Sequence, residues 1–449
     1  MTLITALPDL DQLQIRGRGN AASAFAVSDL ACLSIGAVGL ELAALLQRLG
    51  AKPAPVTVDR PLANHWFKYS FRPSGWELPN PWDDIAGIYQ SKDGWIRLHT
   101  NLPHHKQAAL LVLGCAASKA AVSAAVATWD ADRLEAEIHA AGGVAATLRS
   151  SAEWLNHPQG HALAQEPLIA WQNPRKITLR TRPEATPVQP LKGLRVLDLT
   201  RVLAGPVASR TLAGLGAEVL RIDPPGWDEP GVLQDIALGK RMATLDLKSI
   251  AGRDRLAELM EHADVVVHGY RPGALDGLGF DLQTRDTHAA NRIEVTLNAY
   301  GWSGPWAQRR GFDSLVQLST GIAEAGQRWA KTDTPHPLPY QALDHATGFL
   351  MAAAVLSALN TAAKGLPVAN AHLSLARTAL SLQQLPVNSD QAPLAAPDDA
   401  DFSTTLEQSA WGPGHRLKSP LFVGETSLQW ARPARQSGSD APKWQPELR

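Results

Sequence analysis

Between residues 194 and 299, short apolar runs alternate with amphipathic stretches. LRVLDL (194–199), EVLRID (218–223), ADVVVHG (263–269) and IEVTLNA (293–299) are compact runs of β-formers, and VASRTLAGLG and RDRLAELMEHA between them carry apolar residues at helical spacing. This alternation predicts βαβ units and a doubly wound parallel sheet. Strands that are apolar along their whole length suit a sheet covered on both faces. Upstream the pattern changes. Leu30–Leu46 reads as an apolar helix, and Pro53 and Pro55 break the chain before the β-like VTV (56–58). IAGIYQ and WIRLHT flank SKDG (91–94), a hairpin signal with Asp93-Gly94 at the turn. HHKQAALLVLG, AAVSAAVATW and RLEAEIHAAG follow as three short helices.

The organisation expected is α/β: an α+β small-domain-like segment over 1–180, a Rossmann-like parallel-sheet domain over 185–385, and a C-terminal arm over 386–449. The arm begins with the polar, proline-rich NSDQAPLAAPDDADF, and a linker without clear period runs from about 172 to 190. One internal echo stands out. The segment from Asp29 onward lies without gaps on the segment from Asp344 onward. Both open with Asp, continue as an apolar helix, break near a Gly or Pro and end in a β-like piece. Either the chain carries a degenerate duplication, or two apolar helices that open with Asp align through composition alone.

Composition narrows the function classes. The chain has 449 residues with 42 basic and 43 acidic side chains, a net charge of −1, which argues against a nucleic-acid partner. With 45% hydrophobic and 19% charged residues it can bury a large core. Two cysteines, Cys32 and Cys115, make neither a disulfide framework nor a four-thiolate metal site, and read as core thiols in a reducing compartment. The start has no basic region ahead of its apolar residues. Leu30–Leu46, interrupted by Ser34 and Glu41, is short for a bilayer span. A soluble, cytoplasmic protein without a membrane partner is expected.

Several residues carry candidate chemistry. The turn TRVLAGPVAS after the first strand lacks the glycine spacing of a dinucleotide site, so Asp223 only imitates a ribose-binding acid. Asp344, in YQALDHATG, opens an apolar helix. It is either the helix N-cap or a carboxylate held ionised by the helix amides and able to attack an activated acyl group. The Gly- and Trp-rich stretch 299–321, with Arg309 and Arg310, either lines a pocket or is a packed surface loop. Lys240, Arg241 and Lys248 surround a short strand, as a solvated edge or a phosphate site. His104, His105 and His157 lack metal-ligand spacing, so no metal site is expected, and His345 points away from its neighbour Asp344.

Five motifs occur in a recognisable order: LKGLRVLDLTRVLAGPVASRTLAGLGAEVLRIDPP, GKRMATLDLKS, ADVVVHGYRPGALDGLGF, GWSGPWAQRRGFDSLVQLSTG and YQALDHATGFLMAAAVLSAL. Together, over about 190–380, they resemble the family III acyl-CoA transferases, which include formyl-CoA transferase, carnitine CoA-transferase and α-methylacyl-CoA racemase. Residues 1–180 are similar to the second part of that family. The order is therefore inverted, as if two tandem copies had lost the first nucleotide-type domain.

The resemblance implies that Asp344 is the nucleophile. It places the CoA adenine and phosphates on the turn Val202, Leu203 and Ala204, with Leu245 and Lys248 from the L-D-L-K strand and Gly269 and Tyr270 after the third strand. It further implies a CoA-transferase acting on an acyl-CoA and a carboxylic acid through an aspartyl-CoA thioester, with coenzyme A as substrate, no fixed cofactor, and a homodimer. An acyl-CoA racemase or isomerase and a catalytically silent CoA-binding protein are the alternatives. Three departures bear on them. Phe312 stands where the racemase branch has His, and Gly277 replaces an Arg common in the family. The glycine-rich loop of formyl-CoA transferase has no counterpart. Asp29 lacks the accompanying motifs and is not expected to be catalytic.

Overall fold

Residues 3–388 and 392–445 are described by the computed structural model. Helix α1 (Val27–Arg48) leads into strand β1 (Val56–Asp59) and helix α2 (Arg60–Lys68). The helix is longer than its apolar run, and by length and composition it could cross a membrane, as could a second helix described below. In the fold both are core helices, with 83% and 100% of their apolar windows buried.

The runs between 194 and 299 form the centre of a seven-stranded sheet. Its members are β2 (Ala170–Arg175), β3 (Arg195–Leu199), β4 (Glu218–Asp223), β5 (Arg241–Thr244), β6 (Val265–His268), β7 (Ile293–Asn298) and β8 (Val368–Ser374), in the spatial order β5-β4-β3-β6-β7-β8-β2. Six are parallel and β2 joins β8 antiparallel at the edge. The fold class is therefore α/β, as the alternation of runs predicts. Strand β2 lies at the start of the stretch expected to be a linker. Its residues do not alternate in polarity, and it is held instead by Arg175, which donates to Asn370 Oδ1 (2.8 Å) and to the Arg292 carbonyl (2.7 Å). An edge position also tolerates Pro174, which has no N–H to give.

Helix α3 (Ala204–Gly214) follows β3, and α4 (Ala342–Ala362) packs against both α1 and α3, so the core runs through all three. Gly348 makes this approach possible, because a Cβ there would stand 2.3 Å from the Ala204 carbonyl oxygen. Gly348→Val is accordingly expected to destabilise the protein by roughly 1–3 kcal/mol or more through overpacking, read as a lower urea midpoint with an unchanged slope.

The echo between the two ends is structural. After α4 come β8 and α5 (Leu375–Gln384), the same order as α1, β1 and α2. Matching Asp29 to Asp344 also matches Asp59, which caps α2 by accepting the Leu62 N–H, to Ser374, which caps α5 by accepting the Arg377 N–H. The residues ahead of α1 and α4, Ala26 and Gln341, share an unusual backbone conformation, with ψ of 56° and 62°. Both β1 and β8 have one parallel and one antiparallel neighbour. The antiparallel neighbour of β1 comes from the C-terminal arm: Leu421–Val423 pairs with β1, Gly412–Arg416 pairs with Phe71–Pro73, and Trp430 stacks on Trp66 at 5.1 Å.

The hairpin Gly87–Gln90 and Trp95–Leu98 forms as predicted and is extended antiparallel by Ala145–Thr147. The three short helices Pro103–Leu113, Lys119–Val126 and Ala131–Ala140 pack on it around a core of their own. This α+β unit brings its 97–105 strand end and loop over the first turn of α4.

Candidate active site

Asp344 is the third residue of α4, and its side chain caps nothing. The capping role falls to Asp313, at the start of the neighbouring helix Asp313–Ser319. Its fully buried carboxylate accepts the Asp344 N–H (2.9 Å), the Leu343 N–H and the Gln317 side-chain amide. Asp313 occupies the helix amides, so Asp344 is neither the N-cap nor a carboxylate held ionised by them. Among the described residues nothing donates to the Asp344 carboxylate. Burial, and then the negative charge of Asp313, push its carboxyl well above the ordinary carboxylate range. Burial raises Asp313 too, to about 6, and the two carboxyl groups titrate as a pair, with the three donors on Asp313 favouring the charge there.

Asp344 lies where two cavities meet. The first, about 360 Å³, is built around the turn after β3 and is lined by Val202, Leu203, Ala204, Gly269, Tyr270 and Asp344. Leu245 and Lys248 lie outside its lining. Leu245 packs in the cluster that also holds Tyr270, and Lys248 is exposed. Four arginines complete the wall: Arg201, Arg271, Arg309 and Arg310. Arg201 is held between the rings of Trp227 and Tyr270, 4.8 and 5.5 Å from their centroids. Arg309 lies 3.8 Å from the Trp306 centroid and pairs with Glu135 at 3.0 Å, while Arg310 donates to the Gly142 carbonyl at 3.0 Å. The 299–321 stretch therefore lines the pocket. Asp344 is the only acid in this lining, so the cavity suits an anion.

The turn itself is strained. Val202 has φ of +67°, which a β-branched residue rarely adopts. Its N–H donates to Glu229, which is held in turn by fully buried Arg221. Asp223 joins this network by accepting from Arg221 and from Ser437, so it faces away from the cavity. On the other side of the turn, buried Asp198 accepts from the Thr200 N–H (2.9 Å), from the Thr200 and Ser209 hydroxyls, and from Lys240 Nζ (2.9 Å). Burial lowers the Lys240 pKa to about 8, against the pull of Asp198. Lys240 is thus neither solvated nor a phosphate ligand. Arg241 is buried too, against Glu218 and the Lys443 carbonyl. A linear reading could not reveal this, since the acids Asp198 and Glu218 lie on other strands, far along the chain.

At the matching end the carboxylate of Asp29 is paired. Arg60, which matches Leu375 of the first cavity's wall, sends its guanidinium to Asp29 at 2.7 Å and also donates to the Gly19 carbonyl at 3.1 Å. Sequence reasoning missed Asp313, Glu229, Arg201 and Arg271. Arg201, Arg271 and Asp313 lie inside quoted motifs, next to a turn or a helix start, and that is the only local signal they give, whereas Glu229 lies between two motifs.

Residues 191–404 match the model of CoA-transferase family III. The chain is 34% identical over 194 residues to the probable fatty acyl-CoA transferase Rv3272 of Mycobacterium tuberculosis, covering 39% of this chain and 48% of that protein. It is 30% identical over 302 residues to an acyl-CoA transferase of Gibberella moniliformis (62% and 53%), and 33% identical over 158 residues to the human succinyl-CoA:glutarate CoA-transferase (32% and 36%). The chain thus spans about half or less of the length of these curated relatives. A crystal structure of Rv3272 aligns with a TM-score of 0.39 and 32% identity, over 43% of this chain and 57% of that one. The matched segment contains the turn, the arginines Arg201, Arg271, Arg309 and Arg310, Asp313 and Asp344.

Proposed function

We propose that the protein is a CoA-transferase that moves CoA from an acyl-CoA to a carboxylic acid, with Asp344 as nucleophile. The observation that carries this reading is an unpartnered carboxyl group in the wall of a cavity whose other charged residues are arginines. Its family III segment and its acyl-CoA transferase relatives support the same chemistry. Anionic CoA in the first cavity would be met by Arg201, Arg271 and Arg310, leaving its thioester beside Asp344.

In the first step an Asp344 carboxylate oxygen attacks the thioester carbonyl and CoA leaves as thiolate, giving a mixed anhydride. The thiolate attacks the Asp344 carbonyl, expelling the donor acid and forming an aspartyl-CoA thioester. The acceptor carboxylate attacks that thioester to give a second anhydride and free thiolate. The thiolate then attacks the acceptor's carbonyl, yielding the new acyl-CoA and the Asp344 carboxylate. Division into these exchanges is the gain from covalent catalysis. Because Asp344 must lose a proton that burial retains, the rate should rise with pH through an inflection above the ordinary carboxylate range. A stopped assay from pH 4 to 8 reads this. A transfer that needs no acid acceptor, accompanied by deuterium uptake at the α-carbon, would replace this reading with isomerisation.

The strained turn gives a separate test. Glu229→Ala frees Val202 from φ +67° and is expected to weaken CoA binding about tenfold, a share of the 1–3 kcal/mol stored there. Adding Val202→Gly, which reaches the left-handed region without cost, should restore most of the affinity measured by calorimetry. Failure of that rescue would remove the turn's conformation as the cause.

A further inference from the structure

The second cavity at Asp344 measures about 630 Å³ and has a chemistry of its own. Its walls present the rings of Phe67, Trp82, Phe312 and Tyr340. Two of these are fixed by stacking: Phe312 lies on His99 with centroids 3.9 Å apart, and Phe67 sits between His345 (5.2 Å) and Phe349 (6.0 Å). The acids in the wall are already matched. Asp83 holds Lys106 at 2.7 Å, Glu229 holds Arg221, and Asp235 holds Arg210. Asp228 and the one lining cation, Lys68, are exposed at the rim. Burial keeps His99 and His345 neutral, each with its pKa lowered to about 3. Arg97 stacks on Trp82 at 4.8 Å, faces the charge of Asp313 and is not part of the wall.

The interior of this cavity therefore offers a carboxylate no free cation, while it offers a ring several faces. Burying a second charge here would cost several kcal/mol, whereas aromatic packing is favourable. The volume is that of a site for a sizeable organic group. Resting on the transferase reading above, we infer that this cavity takes the body of the acid whose carboxyl group reacts at Asp344, and that the substrate is a bulky monocarboxylic acid with an aromatic body and no second charge. The two cavities then divide the labour, with CoA on the arginine side and the acyl body on the aromatic side. The first cavity has four lining arginines and the second has none.

Label exchange between an acyl-CoA and its own free acid tests this without knowledge of the natural acceptor. With the full chain, exchange of labelled phenylacetate into phenylacetyl-CoA is expected to exceed that of succinate into succinyl-CoA by at least about tenfold in kcat/KM. Tyr340→Arg, at a half-buried position in the wall, should shift that ratio toward succinyl-CoA by at least about tenfold. Equal or faster succinyl exchange in the wild type, or a ratio unmoved in the variant, overturns the inference and leaves the transferase reading intact. No exchange with either pair, and no covalent adduct on Asp344, overturns both.

Discussion

Asp344→Asn is expected to lower CoA transfer by at least about 10³-fold, because it removes the nucleophilic carboxylate that starts the series of anhydride and thioester intermediates. The same change should stabilise the protein near neutral pH. Burial and Asp313 raise the Asp344 pKa in the folded state above its unfolded value. The carboxyl group's contribution to stability is therefore fully present below the ordinary carboxylate range and is lost as pH rises through the raised pKa. Asparagine does not titrate, so the variant and the wild type should have similar melting temperatures at pH 4. The gap should widen in favour of the variant toward pH 7 to 8. Retained folding with lost activity separates a chemical role from a structural one, and a melting difference that is flat across this range would contradict the burial argument.

Lys240→Met is expected to cost about 3–5 kcal/mol of stability, because it strands the carboxylate of Asp198 in the core. Lys240 and Asp198 are both fully buried, 2.9 Å apart, and Lys240 Nζ also donates to the Pro206 carbonyl at 2.9 Å. The remaining donors to Asp198, the Thr200 backbone N–H and the Thr200 and Ser209 hydroxyls, are neutral and cannot replace the lost charge. Converting Asp198 to Leu in the same chain should recover part of the loss, since a buried pair is dearer to break than to replace. Urea unfolding of the two single variants and the double variant reads this directly. A single variant within 1 kcal/mol of wild type would show that the pair is not confined to the core.

The frame of this fold was legible because it depends on local pattern. The runs at 194–199, 218–223 and 293–299 are apolar and rich in β-formers, and they become β3, β4 and β7 with little shift of their ends. The gap-free match of Asp29 with Asp344 also carried through to helix, strand and cap, because both stretches carry the same local signals in the same order. What could not be read was pairing across the sheet. Lys240 looks like a surface charge or a phosphate ligand in one dimension, and only the fold brings it to Asp198 of β3 in the interior. Asp313 was invisible for a similar reason: it caps a helix that begins 29 residues further along the chain. At the site, the turn residues and Asp344 were found through motif resemblance, whereas the arginines that give the cavity its charge come from three separate loops.

These elements join in one account. Asp198 with Lys240, and Glu229 with Arg221, hold the turn at Val202 from either side. The turn and the arginines form an anionic-ligand cavity, and Asp313 takes over the helix cap so that the carboxyl group of Asp344 faces both cavities unpartnered. Intact mass of the full chain after incubation with an acyl-CoA tests this most directly. The account predicts a covalent CoA adduct on the wild type, released by hydroxylamine, mapped to Asp344 and absent from Asp344→Ala. An adduct that persists in Asp344→Ala, or a wild type that neither binds CoA nor acquires an adduct, would contradict it.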